Sequence, residues 1–120
     1  MILYDDLLAV PYLEGGRDTR GMDCYGLVIE CCRRAGAPIK DLSNIGHVDA
    51  LELPRYVRSV NARNTAIVRP GNVVQCEYAG ELHIGYMLDR MRVLHMTYEG
   101  VRVTPLLALR NAKMYEVTND

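Results

Sequence analysis

The apolar positions of this chain change their period once, near residue 70. Before that point the spacing is helical. Cys24, Leu27, Val28, Cys31, Cys32 and Ala35 fall at offsets of 0, 3, 4, 7, 8 and 11 and make one apolar stripe, which predicts a helix over 23–35. Asp23 suits its N-cap, and Gly36 followed by Pro38 suits its end. Residues 2–9 (ILYDDLLA) read as a short amphipathic helix stopped by Pro11. Residues 13–22 (LEGGRDTRGM) carry three glycines and mixed charges and read as loop, as do 40–47. A weaker helix is expected over 49–60, with a start at Pro54 as a first-turn proline the alternative.

After Arg69-Pro70-Gly71 the period becomes two. Segments 72–78, 82–89, 92–98 and 101–105 are rich in Val, Ile, Leu, Met and Tyr. Ala79-Gly80, Asp89-Arg90-Met91 and Glu99-Gly100 separate them, which predicts an antiparallel meander, with a last strand near 113–118. Helices first and strands later predict an α+β fold with the helices packed on one face of the sheet.

Composition narrows the function classes. The 120 residues are 49% hydrophobic and 24% charged, as expected of one globular domain over 1–120. A net charge of −1 gives no basic excess for a phosphate backbone, so nucleic acid is not an expected partner. No apolar run approaches the ~20 residues of a membrane span. The N-terminus shows no secretory signal pattern, so the chain is expected to be made in the cytoplasm. Trp and Phe are absent, which leaves the aromatic packing to eight tyrosines.

Of four cysteines, Cys24 stands apart. It falls in the first turn of the predicted helix, where unpaired backbone N–H groups and the positive dipole end favour a thiolate. Such surroundings can lower a thiol from ~8.5 to ~3.5–7.5, and the thiolate is the form that attacks a carbonyl carbon. A base is then needed. His47 lies in a loop and reads as surface. His83 and His95 lie on neighbouring predicted strands at positions of equal parity. A loop of three or five residues between those strands puts both imidazoles on one face, whereas a two- or four-residue turn separates them. Asp89-Arg90-Met91 lacks the signature of a two-residue turn, which favours the longer loop. One histidine can then take the thiol proton while the other holds its ring.

The segments PYLEGG, RDTRGM, DCYGLV, PGNVV and LHIGYMLDRMRVLH, spanning about 11–98, together resemble the NlpC-type cell-wall cysteine peptidase family, a compact papain-like group. That family shows Pro-Tyr-x-Trp-Gly-Gly, Gly-x-Asp-Cys-Ser-Gly-Leu-Val, Pro-Gly-Asp and His-Val-Gly-Ile-Tyr segments. The resemblance implies Cys24 as nucleophile, His83 as general base, His95 as orienting residue and Tyr12 as an oxyanion donor. It implies a peptidoglycan stem peptide as substrate, cut between a D-glutamyl residue and a diamino acid, with no cofactor. Glu14 replaces the family's Trp, Tyr25 its Ser and Asn72 its Asp. Glu14, Asp23 and Tyr25 are the expected substrate contacts. The DCYGLV form resembles the bacteriophage tail-associated branch, which makes phage tail proteins expected partners and the virion tail or the cell envelope an expected destination.

Two other classes stay open. One is a tail-assembly protein that kept the fold and works by binding; the other is an amidase or acyltransferase using the same triad. A zinc site from Cys24, Cys76, His83 and His95 ranks lower, since it lacks local ligand pairs of the usual spacing. Cys31 and Cys32 are adjacent and belong to the core stripe. Asp5, Asp6, Asp18 and Asp23 form no catalytic carboxylate pair, and Gly15-Gly16 opens no phosphate loop.

Overall fold

The computed structural model describes residues 2–41 and 61–118; the helix expected over 49–60 and His47 lie outside them. Helix α1 spans Cys24–Arg34. At its start the Asp23 carboxylate accepts the backbone N–H of Gly26 at 2.7 Å. At its end Gly36 turns left-handed (φ 77°), and the N–H groups of Gly36 and Ala37 donate to the carbonyls of Arg33 and Cys32. That pairing is a Schellman termination, and glycine gives it at no steric cost. The helix buries Leu27, Val28, Cys31 and Cys32, as the stripe predicts, while Ala35 ends up exposed.

Residues 2–9 do not form an α-helix. Only a 3-10 turn forms, over Asp5–Ala9, with Leu7 its buried residue and no side-chain cap at Tyr4. Five residues are too few to repay α-helix nucleation. The expected loop at 13–22 contains a short ribbon instead, β1 (Arg17–Asp18) paired with β2 (Gly21–Met22).

Six further strands form one antiparallel sheet: β3 (Ala62–Thr65), β4 (Val73–Tyr78), β5 (Glu81–Met87), β6 (Arg92–Thr97), β7 (Gly100–Pro105) and β8 (Arg110–Val117). Their spatial order is β3-β8-β4-β5-β6-β7. Strands β4 to β7 are the predicted meander. β8 returns across it to lie between β3 and β4, and β3 carries no apolar alternation by which the sequence announces it. The architecture is α+β, one helix against an antiparallel sheet.

The sheet has two buried faces. Ile84, Tyr86, Leu94 and Met96 pack in one cluster with Leu27, Val28, Cys31 and Cys32 of α1. Val74, Cys76, Met87 and Val93 alternate with the residues of that face and form a second cluster with Leu109 and Met114. A central strand covered on both sides buries consecutive residues, which explains why Val73 to Cys76 show no alternation.

Candidate active site

The site forms where two strands part. Among the described residues, β5 and β6 pair at Tyr86–Leu94 and Met87–Val93, and the Leu88 N–H donates to the Arg92 carbonyl beyond them. The connecting loop is therefore Asp89-Arg90-Met91, a three-residue loop, and His83 and His95 share a face as that length requires. On the other side, His83 lies directly across from Cys76 of β4. Below Tyr86–Leu94 the ladder stops, although both strands continue. In that gap His83 Nε2 lies 2.9 Å from His95 Nδ1, with the two rings nearly perpendicular at 82°. His95 is fully buried, and its Nε2 reaches Thr104 Oγ1 of β7 at 2.6 Å. The Tyr78 ring covers both imidazoles, 5.3 Å from His83 and 4.9 Å from His95.

Cys24 and Tyr12 enter from the helix side. The segment around Tyr12 runs beside Met22: the Leu13 N–H donates to the Met22 carbonyl, and the Met22 N–H to that of Pro11. This fixes Tyr12 next to the start of α1. The ribbon itself is clamped against the helix. A side chain on Gly26 would place its Cβ 2.3 Å from the Gly16 carbonyl oxygen, so only glycine permits the approach. One pocket then collects Tyr12, Cys24, Leu82 and Met96 from the helix side and His83 and Tyr78 from the other side, with Glu81, Thr97 and Tyr98 completing its lining. Cys24 is half-buried there. Tyr98 stacks edge-on against Tyr12 at 4.8 Å and donates its hydroxyl to Glu81 at 2.9 Å.

The electrostatics differ from the sequence expectation of a lowered thiol. Burial, followed by the charge of Asp23, pushes Cys24 up to about 12. Backbone groups of Ile84, Tyr25 and Cys24 itself pull it down but do not prevail. Helix-start N–H groups act on a sulfur that has already lost most of its water. Burial, then the neighbouring imidazole, lowers His83 to about 4; burial and Arg102 lower His95 to about 4. All three shifts favour the neutral thiol and the neutral imidazoles. Burial also raises Tyr12 to about 12, so its phenol stays a hydrogen-bond donor at neutral pH.

The family model described as NlpC/P60 family matches residues 9–116. The chain belongs to the NlpC/P60 family. Members of the NlpC/P60 family are generally cysteine peptidases or hydrolases of cell-wall peptidoglycan. A search of curated proteins gave no match.

Within this NlpC/P60 chain, the structure brings Cys24, His83 and Tyr12 into one pocket and sets His95 behind His83. The other three expected residues sit elsewhere. Glu14 is exposed, near enough for its charge to be felt at Tyr12 and Tyr98, but it does not line the pocket. Asp23 is buried away from the pocket lining. Its carboxylate takes the Gly26 and Gly15 N–H groups and the Arg17 guanidinium at 2.8 Å, which makes it a cap and a ribbon anchor. Tyr25 is buried as well, with its hydroxyl on the Lys40 carbonyl and the Arg17 guanidinium 5.9 Å from its ring centre. Among the described residues no three His, Cys, Asp or Glu side chains are grouped as metal ligands, and no helix is long and apolar enough to cross a membrane.

The sequence reading missed Tyr78, Glu81, Tyr98 and Thr104. The first three carry a signal, since they flank the Ala79-Gly80 and Glu99-Gly100 turns at the same end of the meander. Thr104 is legible only once the β6–β7 register is known.

Proposed function

We propose that this chain is a cysteine endopeptidase that cuts peptidoglycan stem peptides after a D-glutamyl residue and before a diamino acid. The observation that carries the reading is the shared pocket of Cys24 and His83, with His83 bonded to a buried His95. His83 has one ring nitrogen left, Nδ1, because Nε2 is engaged with His95. As the Cys24 sulfur attacks the scissile carbonyl, its proton passes to that Nδ1. Burial raises the thiol and lowers the imidazole, which disfavours a stored thiolate–imidazolium pair, so the proton leaves the sulfur only as the new C–S bond forms. The Tyr12 hydroxyl and the Cys24 backbone N–H hold the oxyanion; each such donor is worth about 3 kcal/mol of barrier. His83 then protonates the leaving amine, and water, deprotonated by His83, hydrolyses the Cys24 thioester.

The DCYGLV motif supports a bacteriophage tail-associated role, with synthesis in the cytoplasm and assembly into virions. Co-sedimentation of the chain with purified virions tests that part. A second reading, a tail-assembly protein that binds without cutting, draws on the strongly raised Cys24 thiol. Digestion of purified peptidoglycan followed by mass spectrometry separates the two. The endopeptidase releases fragments ending in D-glutamate and Cys24→Ala does not; equal fragment release by both proteins refutes the catalytic reading.

A further inference from the structure

The hydrogen-bond chain that starts at His83 does not end at His95. His95 lies opposite Arg102 across the β6–β7 ladder, so Thr104, two residues on, shares its face and presents Oγ1 to His95 Nε2 at 2.6 Å. We propose that Thr104 is a positioning residue that holds His95 in the Nε2–H tautomer and so leaves Nδ1 of His83 unprotonated toward Cys24. The inference rests on the reading of His83 as the base.

A neutral imidazole carries its proton on one of two nitrogens, and a hydroxyl can both give and accept. Two arrangements therefore satisfy the chain. In the first, Thr104 accepts from His95 Nε2–H, His95 Nδ1 accepts from His83 Nε2–H, and His83 Nδ1 keeps its lone pair. In the second, every proton is reversed. Thr104 donates, His95 donates from Nδ1, and His83 carries its proton on Nδ1, where it cannot receive another.

The surroundings select the first. In the second arrangement an imidazole N–H would face a thiol whose sulfur is a weak acceptor. In the first, the thiol S–H has a ring nitrogen to donate to. Thr104 is half-buried, and its hydroxyl meets His95 at the inner end of this chain of bonds. A carboxylate at this position could only accept and would fix the tautomer by charge. Threonine supplies the acceptor without adding a charge that would favour a doubly protonated His83.

The test uses the whole chain with 15N-labelled histidine, as wild type, Thr104→Ser and Thr104→Val. NMR reads which ring nitrogen of His83 and His95 carries the proton. In wild type and Thr104→Ser both protons are expected on Nε2. In Thr104→Val the buried His95 Nε2–H has no acceptor, so the reversed arrangement becomes the major one. Alkylation of Cys24 by iodoacetamide at neutral pH then slows by about tenfold or more, and kcat on a stem peptide falls by a similar factor with KM nearly unchanged, while Thr104→Ser keeps both. A wild-type His95 protonated on Nδ1, or a Thr104→Val indistinguishable from Thr104→Ser, overturns the proposal. NMR and alkylation need no substrate, so a wild type inert on peptidoglycan refutes the proposed function and leaves this inference to the tautomer result. If Thr104→Val does not fold, the wild-type spectrum alone decides.

Discussion

His83 and His95 meet at 2.9 Å between Nε2 and Nδ1, at a level where β5 and β6 have stopped pairing. Both imidazoles sit on the sheet face away from the α1 core, whereas Cys24 sits on the helix face. The gap between the strands is what lets His83 and Cys24 line one pocket. A continuous ladder would have put the sheet backbone between base and nucleophile.

Acid should weaken the fold through these two rings. Both are lowered from 6.5 to about 4 in the folded protein, so between those values the unfolded chain binds more protons. Stability therefore rises with pH across that window, is complete above about 6.5 and is lost as pH falls toward about 4. Unfolding free energies from urea titrations across it should decline on acidification, by an amount on the order of a few kcal/mol. A double variant, His83→Asn with His95→Asn, should show a flatter profile. Equal slopes for the two proteins would contradict the burial argument.

Asp23→Ala should destabilise strongly. The change removes the N-cap acceptor and one carboxylate from Arg17, whose side chain is 22% exposed and which keeps Asp41 and the Gly16 carbonyl as partners. Cap loss costs about 1 kcal/mol, and losing the charge-assisted bond to Arg17 adds about 1.5–3. Asp23→Asn, which keeps an acceptor for Gly26, should lose less. Chemical denaturation measures both, and a cost for Asp23→Ala within about 0.5 kcal/mol, as at an ordinary surface site, would remove Asp23 from its structural role.

Gly85→Ala should impair the site more than the fold. An added Cβ would stand 2.6 Å from Val93 Cγ1 and 3.2 Å from His95 Cβ. Val93 is buried in the second cluster, so strain of about 1–3 kcal/mol is expected. The same push moves His95 off its contacts with His83 and Thr104. Turnover should then fall by about tenfold or more at temperatures where the variant is fully folded. A folded Gly85→Ala with wild-type turnover would show that the histidine spacing is not critical.

Much of this site was legible in the chain. The helical stripe placed Cys24 at a helix start, and equal parity with a three-residue loop placed His83 and His95 on one face. Parity does not say which face, and no local pattern marks where a ladder stops. The expected low thiol failed because a sequence shows the helix terminus but not the burial that outweighs it. β8 was legible as a strand, but its place beside β4 depends on a long-range pairing. Asp23 and Tyr25, expected as substrate contacts, are buried instead; at an α-helix start adjacent residues point in different directions, and these two point inward.

The most direct test of the account is intact-protein mass spectrometry after rapid mixing of the chain with a soluble stem peptide. The account predicts a transient adduct with the mass of the D-glutamyl fragment, mapped to Cys24, destroyed by hydroxylamine and absent from Cys24→Ala. Product formation with no adduct on Cys24, or with Cys24→Ala as fast as wild type, would contradict it.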